Sequence, residues 1–63
     1  MNNVFKYAIN DDVSFDQIGE KYGKKGDGKI LMLQEYILCN AYLVEMKDGT
    51  KLQVREEHII SKK

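Results

Sequence analysis

Proline is missing from this 63-residue sequence altogether, cysteine and histidine occur once each, and neither sign of charge is in surplus. Each shortage closes a route. A single cysteine, Cys39, cannot form an internal disulfide, so a domain this small gets no covalent help with its stability. Ten basic residues against ten acidic ones leave zero formal net charge, which argues against a histone-like coat for DNA and equally against a polyacidic DNA mimic. Any polyanion site has to be a local patch. No apolar run approaches the ~20 residues of a membrane span. There is no hydrophobic signal-peptide core either, so the expectation is a cytoplasmic protein whose thiol stays reduced. Linkers, repeats and low-complexity tracts are also absent, and residues 1–63 read as one domain. A chain of that length buries only roughly 60% of its unfolded surface, which leaves its stability marginal.

What is present is organised around residues 41–58. Asp48-Gly49 is a turn signal, because glycine takes positive φ without penalty and aspartate can bond its own backbone, and strand-like runs flank it on both sides. A two-residue loop would set Glu45 against Leu52 and Val44 against Gln53, mixing polar and apolar side chains on both faces. A three-residue loop, Lys47-Asp48-Gly49, with Gly49 left-handed, pairs Tyr42 with Val54, Val44 with Leu52 and Met46 with Thr50 on one apolar face. The other face then pairs Glu45 with Lys51 and Leu43 with Gln53. That register is the expected one. Arg55, Glu56, Glu57 and His58 make a polar run of one tight turn, and Ile59-Ile60 follows as a short last strand.

Upstream, residues 4–9 alternate with Phe5, Tyr7 and Ile9 on one side and read as an edge strand. Asn10, Asp11 and Asp12 break it, and residues 12–15 fit the first strand of a small barrel. Residues 16–29 hold four of the five glycines and read as an extended surface loop. Residues 30–33 and 36–39 form two apolar runs. As a helix through residue 46 they would be apolar nearly all round, which so small a chain cannot bury. The sheet reading stands, with residues 36–40 as a widened loop.

Gly28-Lys29-Ile30-Leu31, the hairpin of residues 41–54 and the run from Arg55 to Ile60 together resemble the small SH3-like barrels, close in layout to KOW-type domains. The layout is also similar to that of small SH3-like proteins encoded by Bacillus prophages. The resemblance implies a fold, an all-β five-stranded SH3-like barrel with a 3₁₀ turn before the last strand. It also implies a binding role and a phage or mobile-element origin.

Catalysis has little to work with. His58 would need a nucleophile and an orienting carboxylate, yet no nucleophile motif surrounds Ser14, Ser61, Cys39 or Thr50, so His58 reads as a ring packed beside the 3₁₀ turn and bonding backbone. Asp11, Asp12 and Asp16 lack calcium-loop spacing, and no metal or cofactor is expected. Lys21, Tyr22, Lys24, Lys25 and Lys29 could form a basic loop on nucleic-acid backbone with Tyr22 stacking on a base. The plainer reading is a solvated loop between strands. The remaining surplus is apolar: Tyr36, Ile37 and Leu38 in a loop, and Leu43 on the face opposite Tyr42. These residues either plug an open end of the barrel or contact a second copy or another protein. The leading expectation is a non-enzymatic module that binds a protein partner through Tyr36, Ile37, Leu38 and Leu43, a host factor if the phage resemblance holds. Nucleic-acid binding through the lysine loop is the alternative, and a structural subunit of a homo-oligomer the third reading.

Overall fold

The computed structural model describes residues 3–21 and 23–63. Five strands form one antiparallel sheet: β1 (Asp12–Asp16), β2 (Lys25–Glu35), β3 (Asn40–Met46), β4 (Lys51–Arg55) and β5 (Ile59–Lys62), in the order β4-β3-β2-β1-β5. A 3₁₀ turn, Glu56–His58, joins β4 to β5 and so connects the two edge strands of the sheet. None of the described residues forms a helix long and apolar enough to cross a membrane.

The hairpin holds the expected register. Tyr42 faces Val54, Val44 faces Leu52, Leu43 faces Gln53 and Glu45 faces Lys51. The Met46 N–H donates to the Thr50 carbonyl at 2.8 Å and the Gly49 N–H to the Met46 carbonyl at 2.9 Å. Gly49 has a φ of 90°, which closes the three-residue loop at little steric cost. The Thr50 N–H donates to the Asp48 carboxylate, holding that carboxyl below its usual range.

The apolar run from Ile30 to Leu33 is a strand with a register shift between Ile30 and Met32. The extra residue, Leu31, lets both Ile30 and Leu33 face inward, opposite Val44 and Tyr42, while Met32 turns out against Leu43 and is 51% exposed. Val13, Phe15, Ile30, Tyr42, Val44, Val54 and Ile59 form the core, with Phe5, Tyr7, Leu33, Met46 and Leu52 packed against it.

Two expectations fail. Residues 4–9 are not a strand: both edges of β1 are taken by β2 and β5. Their alternation survives in part, since Phe5 and Tyr7 are half-buried, but Ile9 is 52% exposed within a turn in which Asn10 has a φ of 76°. The loop assigned to residues 16–29 is shorter, because β2 begins at Lys25. Gly28 in this stretch serves close approach. A Cβ on Gly28 would lie 2.4 Å from Val44 Cγ1 and 2.8 Å from the Glu45 carbonyl oxygen, so only glycine lets β2 pass this close to β3.

Candidate functional site

Residues 36–39 form the turn between β2 and β3, closed by the Tyr36 N–H donating to the Cys39 carbonyl at 3.1 Å. Glu35 pairs with Asn40 directly below it, which fixes the loop to the end of two paired strands. Ile37 and Leu38 are 99% and 95% exposed, so they cover no part of the core. Tyr36 lies back on the outer face of the sheet, its hydroxyl accepting from Gln53 Nε2 at 2.6 Å, and Gln53 also donates to Gln34 Oε1 at 2.9 Å. Gln53 is the cross-strand partner of Leu43, which pairs on its other side with Met32. Tyr36 and Leu43 are thus joined through Gln53 on one face of the sheet, with Ile37 and Leu38 on the adjoining turn. Tyr36, Ile37, Leu38, Cys39, Ala41, Gln53 and Arg55 line a shallow groove of about 440 Å³ there.

The lysines do not converge in the same way. Lys21 and Lys24 are exposed in the loop before β2, and Lys25 starts that strand. Lys29 sits within it, opposite Asp12 on one side and Glu45 on the other. Tyr22 lies outside the described residues.

His58 is half-buried beside the 3₁₀ turn as expected, but its partner is a side chain. Its Nδ1 lies 2.9 Å from Gln17 Oε1, and its Nε2 lies 3.9 Å from Glu20 Oε1. With the carboxamide oxygen as acceptor, Nδ1 carries the proton. Gln17, buried at 7% exposure, is a polar residue that no pattern singled out. Its Oε1 also accepts from the Arg55 N–H at 2.8 Å and its Nε2 donates to the Gln53 carbonyl at 2.9 Å, so one carboxamide takes the place of a neighbouring strand along the edge of β4. Of the aspartates considered for calcium, Asp12 opens β1 opposite Lys29, and Asp11 and Asp16 hold turns. Asp11 accepts from the Ala8 N–H at 2.9 Å and pairs with Lys62 at 3.5 Å, and Asp16 accepts from the Ile18 N–H at 3.1 Å.

A second polar group, also unforeseen, lies where residues 3–9 cross β3 and the 3₁₀ turn. The Tyr42 hydroxyl donates to Glu56, which also accepts from the Lys6 N–H at 3.1 Å and from Asn40 Nδ2 at 3.3 Å. Burial pushes the Glu56 carboxyl up, but these three donors outweigh it and hold the group below its usual range. Burial, with the neighbouring Glu56 carboxylate, pushes the Tyr42 phenol well above its ordinary value. Phe5 and Tyr7 meet the Tyr42 ring edge-on, with centroids at 5.7 and 5.8 Å. Among the described residues no buried side-chain polar atom lacks a partner.

No family model matches the chain, and neither the curated proteins nor the solved structures contain a significant match to it.

Proposed function

We propose that the chain is an SH3-like barrel acting as a non-enzymatic interaction module, cytoplasmic and of phage or prophage origin, that binds a protein partner, a host factor, through Tyr36, Ile37, Leu38 and Leu43. The observation that carries this reading is the near-complete exposure of Ile37 and Leu38 on a turn whose base is hydrogen-bonded and paired. Two aliphatic side chains held out in water are a standing cost that a partner removes. Burying both gives about 3–6 kcal/mol, and association costs about 4–15 kcal/mol. The tip alone is therefore too small an anchor, and Tyr36 and Leu43 have to join it. The open sheet supports the barrel reading through topology. Its edge strands β4 and β5 are consecutive in sequence across a three-residue turn, and Gln17 bridges from the end of β1 to β4.

The test is affinity capture from host lysate with three forms of the full chain: the native sequence, Ile37→Asp with Leu38→Asp, and Lys24→Glu with Lys25→Glu. The expected result is a partner retained by the first and third and lost by the second. Identical capture by all three overturns the contact surface. Binding of labelled oligonucleotides at low salt that the lysine substitutions abolish replaces it with a nucleic-acid interface. A concentration-dependent mass in light scattering, abolished by the aspartate substitutions, makes the partner a second copy.

A further inference from the structure

We propose that Tyr42, Asn40 and Glu56 form a receptor for an extended segment carrying aromatic side chains two residues apart, presented by a partner protein, and that the chain's own residues 3–9 fill it as an intramolecular ligand. This inference stands apart from the contact surface proposed above.

Residues 3–9 are held in the way a bound peptide is held. They lie outside the sheet, yet their backbone is satisfied by receptor side chains. The Lys6 N–H donates to Glu56 Oε2 at 3.1 Å, the Tyr7 N–H to the Tyr42 hydroxyl oxygen at 3.3 Å, and the Val4 carbonyl accepts from Asn40 Nδ2 at 2.8 Å. Phe5 and Tyr7 go down on the Tyr42 ring while Val4 and Lys6 stay in solvent. Main-chain bonds that supply affinity, with alternate side chains that supply selectivity, are the arrangement by which extended peptides are recognised.

Tyr42 and Asn40 belong to β3 and Glu56 to the 3₁₀ turn, elements outside the segment, so these three groups stay in place when it leaves. Glu56 then keeps the Tyr42 hydroxyl and Asn40 as donors, and its charge is not stranded. The exit is the turn at residues 8–11, where Asn10 sits in the left-handed region and the Asp11 N–H donates to the Ala8 carbonyl at 3.1 Å. A tethered ligand competes at an effective concentration on the order of millimolar. A partner segment therefore displaces it only by fitting better. Displacement also releases Asn3, which donates to the Tyr36 carbonyl at 2.9 Å and to Asn40 Oδ1 at 2.7 Å.

The probe is an acetylated, amidated peptide copying residues 3–9, titrated into isotope-labelled full-length chain and followed by amide NMR. With Phe5→Ala and Tyr7→Ala in the chain, the expected result is saturable binding with shifts at Asn40, Tyr42 and Glu56. Native chain, whose own segment competes, should bind at least about tenfold more weakly. A folded variant that shows no binding at about 2 mM peptide, above the effective concentration of such a tether, overturns the proposal, as do shifts that map elsewhere. Should that variant not fold, hydrogen exchange on the native chain decides. Lys6 and Tyr7 amides exchanging at least about tenfold faster than the slowest amides of β3 report opening of the segment alone. Equal rates mean that it leaves only on global unfolding, and the proposal falls.

Discussion

Replacing Gln17 with methionine tests whether a side chain does the work of a strand in this sheet. The residue is 7% exposed and its carboxamide makes three hydrogen bonds, to the Gln53 carbonyl, the Arg55 N–H and His58 Nδ1. At about 1 kcal/mol net for each, removal costs about 3 kcal/mol. Methionine preserves the volume and returns part of that by burying a thioether, which leaves about 2–3 kcal/mol. A domain of this length has about 3–9 kcal/mol in total, so the variant loses a large share of it. At about 4–8 °C per kcal/mol for a small domain, the melting temperature falls by about 10–20 °C in a circular-dichroism melt. His58→Ala removes one bond of the three and costs about 1 kcal/mol. Combined with Gln17→Met it adds almost nothing further, because its partner has already gone. A Gln17→Met variant melting within about 2 °C of the native chain, a shift worth well under 1 kcal/mol, would refute the bridge.

Other perturbations address the remaining parts of the fold. Glu56 titrates lower in the folded chain than in the unfolded one, so the stability it contributes is fully present above its unfolded value of about 4.3 and is lost as the pH falls through the folded value. Urea midpoints measured from pH 6 down to pH 2 should fall through that window, and Glu56→Gln should flatten the fall; an unchanged slope refutes the assignment. Gly28→Ala drives a methyl group into Val44 Cγ1 and the Glu45 carbonyl and costs about 3 kcal/mol or more by overpacking, read as a lower urea midpoint. Ile37→Asp and Leu38→Asp, at side chains almost wholly in solvent, change stability by no more than about 0.5 kcal/mol, and a larger loss would show that the tip is structural.

The hairpin was legible because independent signals agreed on one register. Gly49 required a left-handed position, Glu45 and Lys51 had opposite charges to place together, and Tyr42, Val44, Leu52 and Val54 had one face to share. The 3₁₀ turn and the last strand followed from the same kind of agreement between the polar run from Arg55 to His58 and a β-branched pair. Where a single signal stood alone, it misled. The period-two pattern of residues 4–9 identifies an extended backbone with a wet and a dry side, and a segment lying across a tyrosine ring satisfies that pattern as well as a strand does. Gly26 and Gly28 suggested a flexible loop, although the physical demand at Gly28 is contact. A glycine that must bend freely and one that must let two backbones meet look identical in a sequence. For the contact surface, the surplus of apolar residues at Tyr36, Ile37 and Leu38 was visible, but their exposure was not.

The unforeseen residues share a cause that connects the fold to its surfaces. Gln17, Asn40 and Glu56 each bond backbone belonging to a segment far away in sequence: Gln17 to β4, Asn40 to Val4 and Glu56 to Lys6. A sheet of five short strands with β4 and β5 at its edges leaves main-chain groups facing outward, and an exposed edge invites pairing with other chains. Here Gln17 satisfies such groups on β4 in place of a further strand, and Asn40 and Glu56 bond the backbone of a segment outside the sheet. Side chains can exchange one backbone for another more readily than a paired strand can, because each contributes one or two bonds and not a whole ladder. The polar groups that complete this domain are thus also its most exchangeable, which places the adaptable part of the molecule at the Asn40–Glu56 end and leaves the rigid part at the hairpin of β3 and β4.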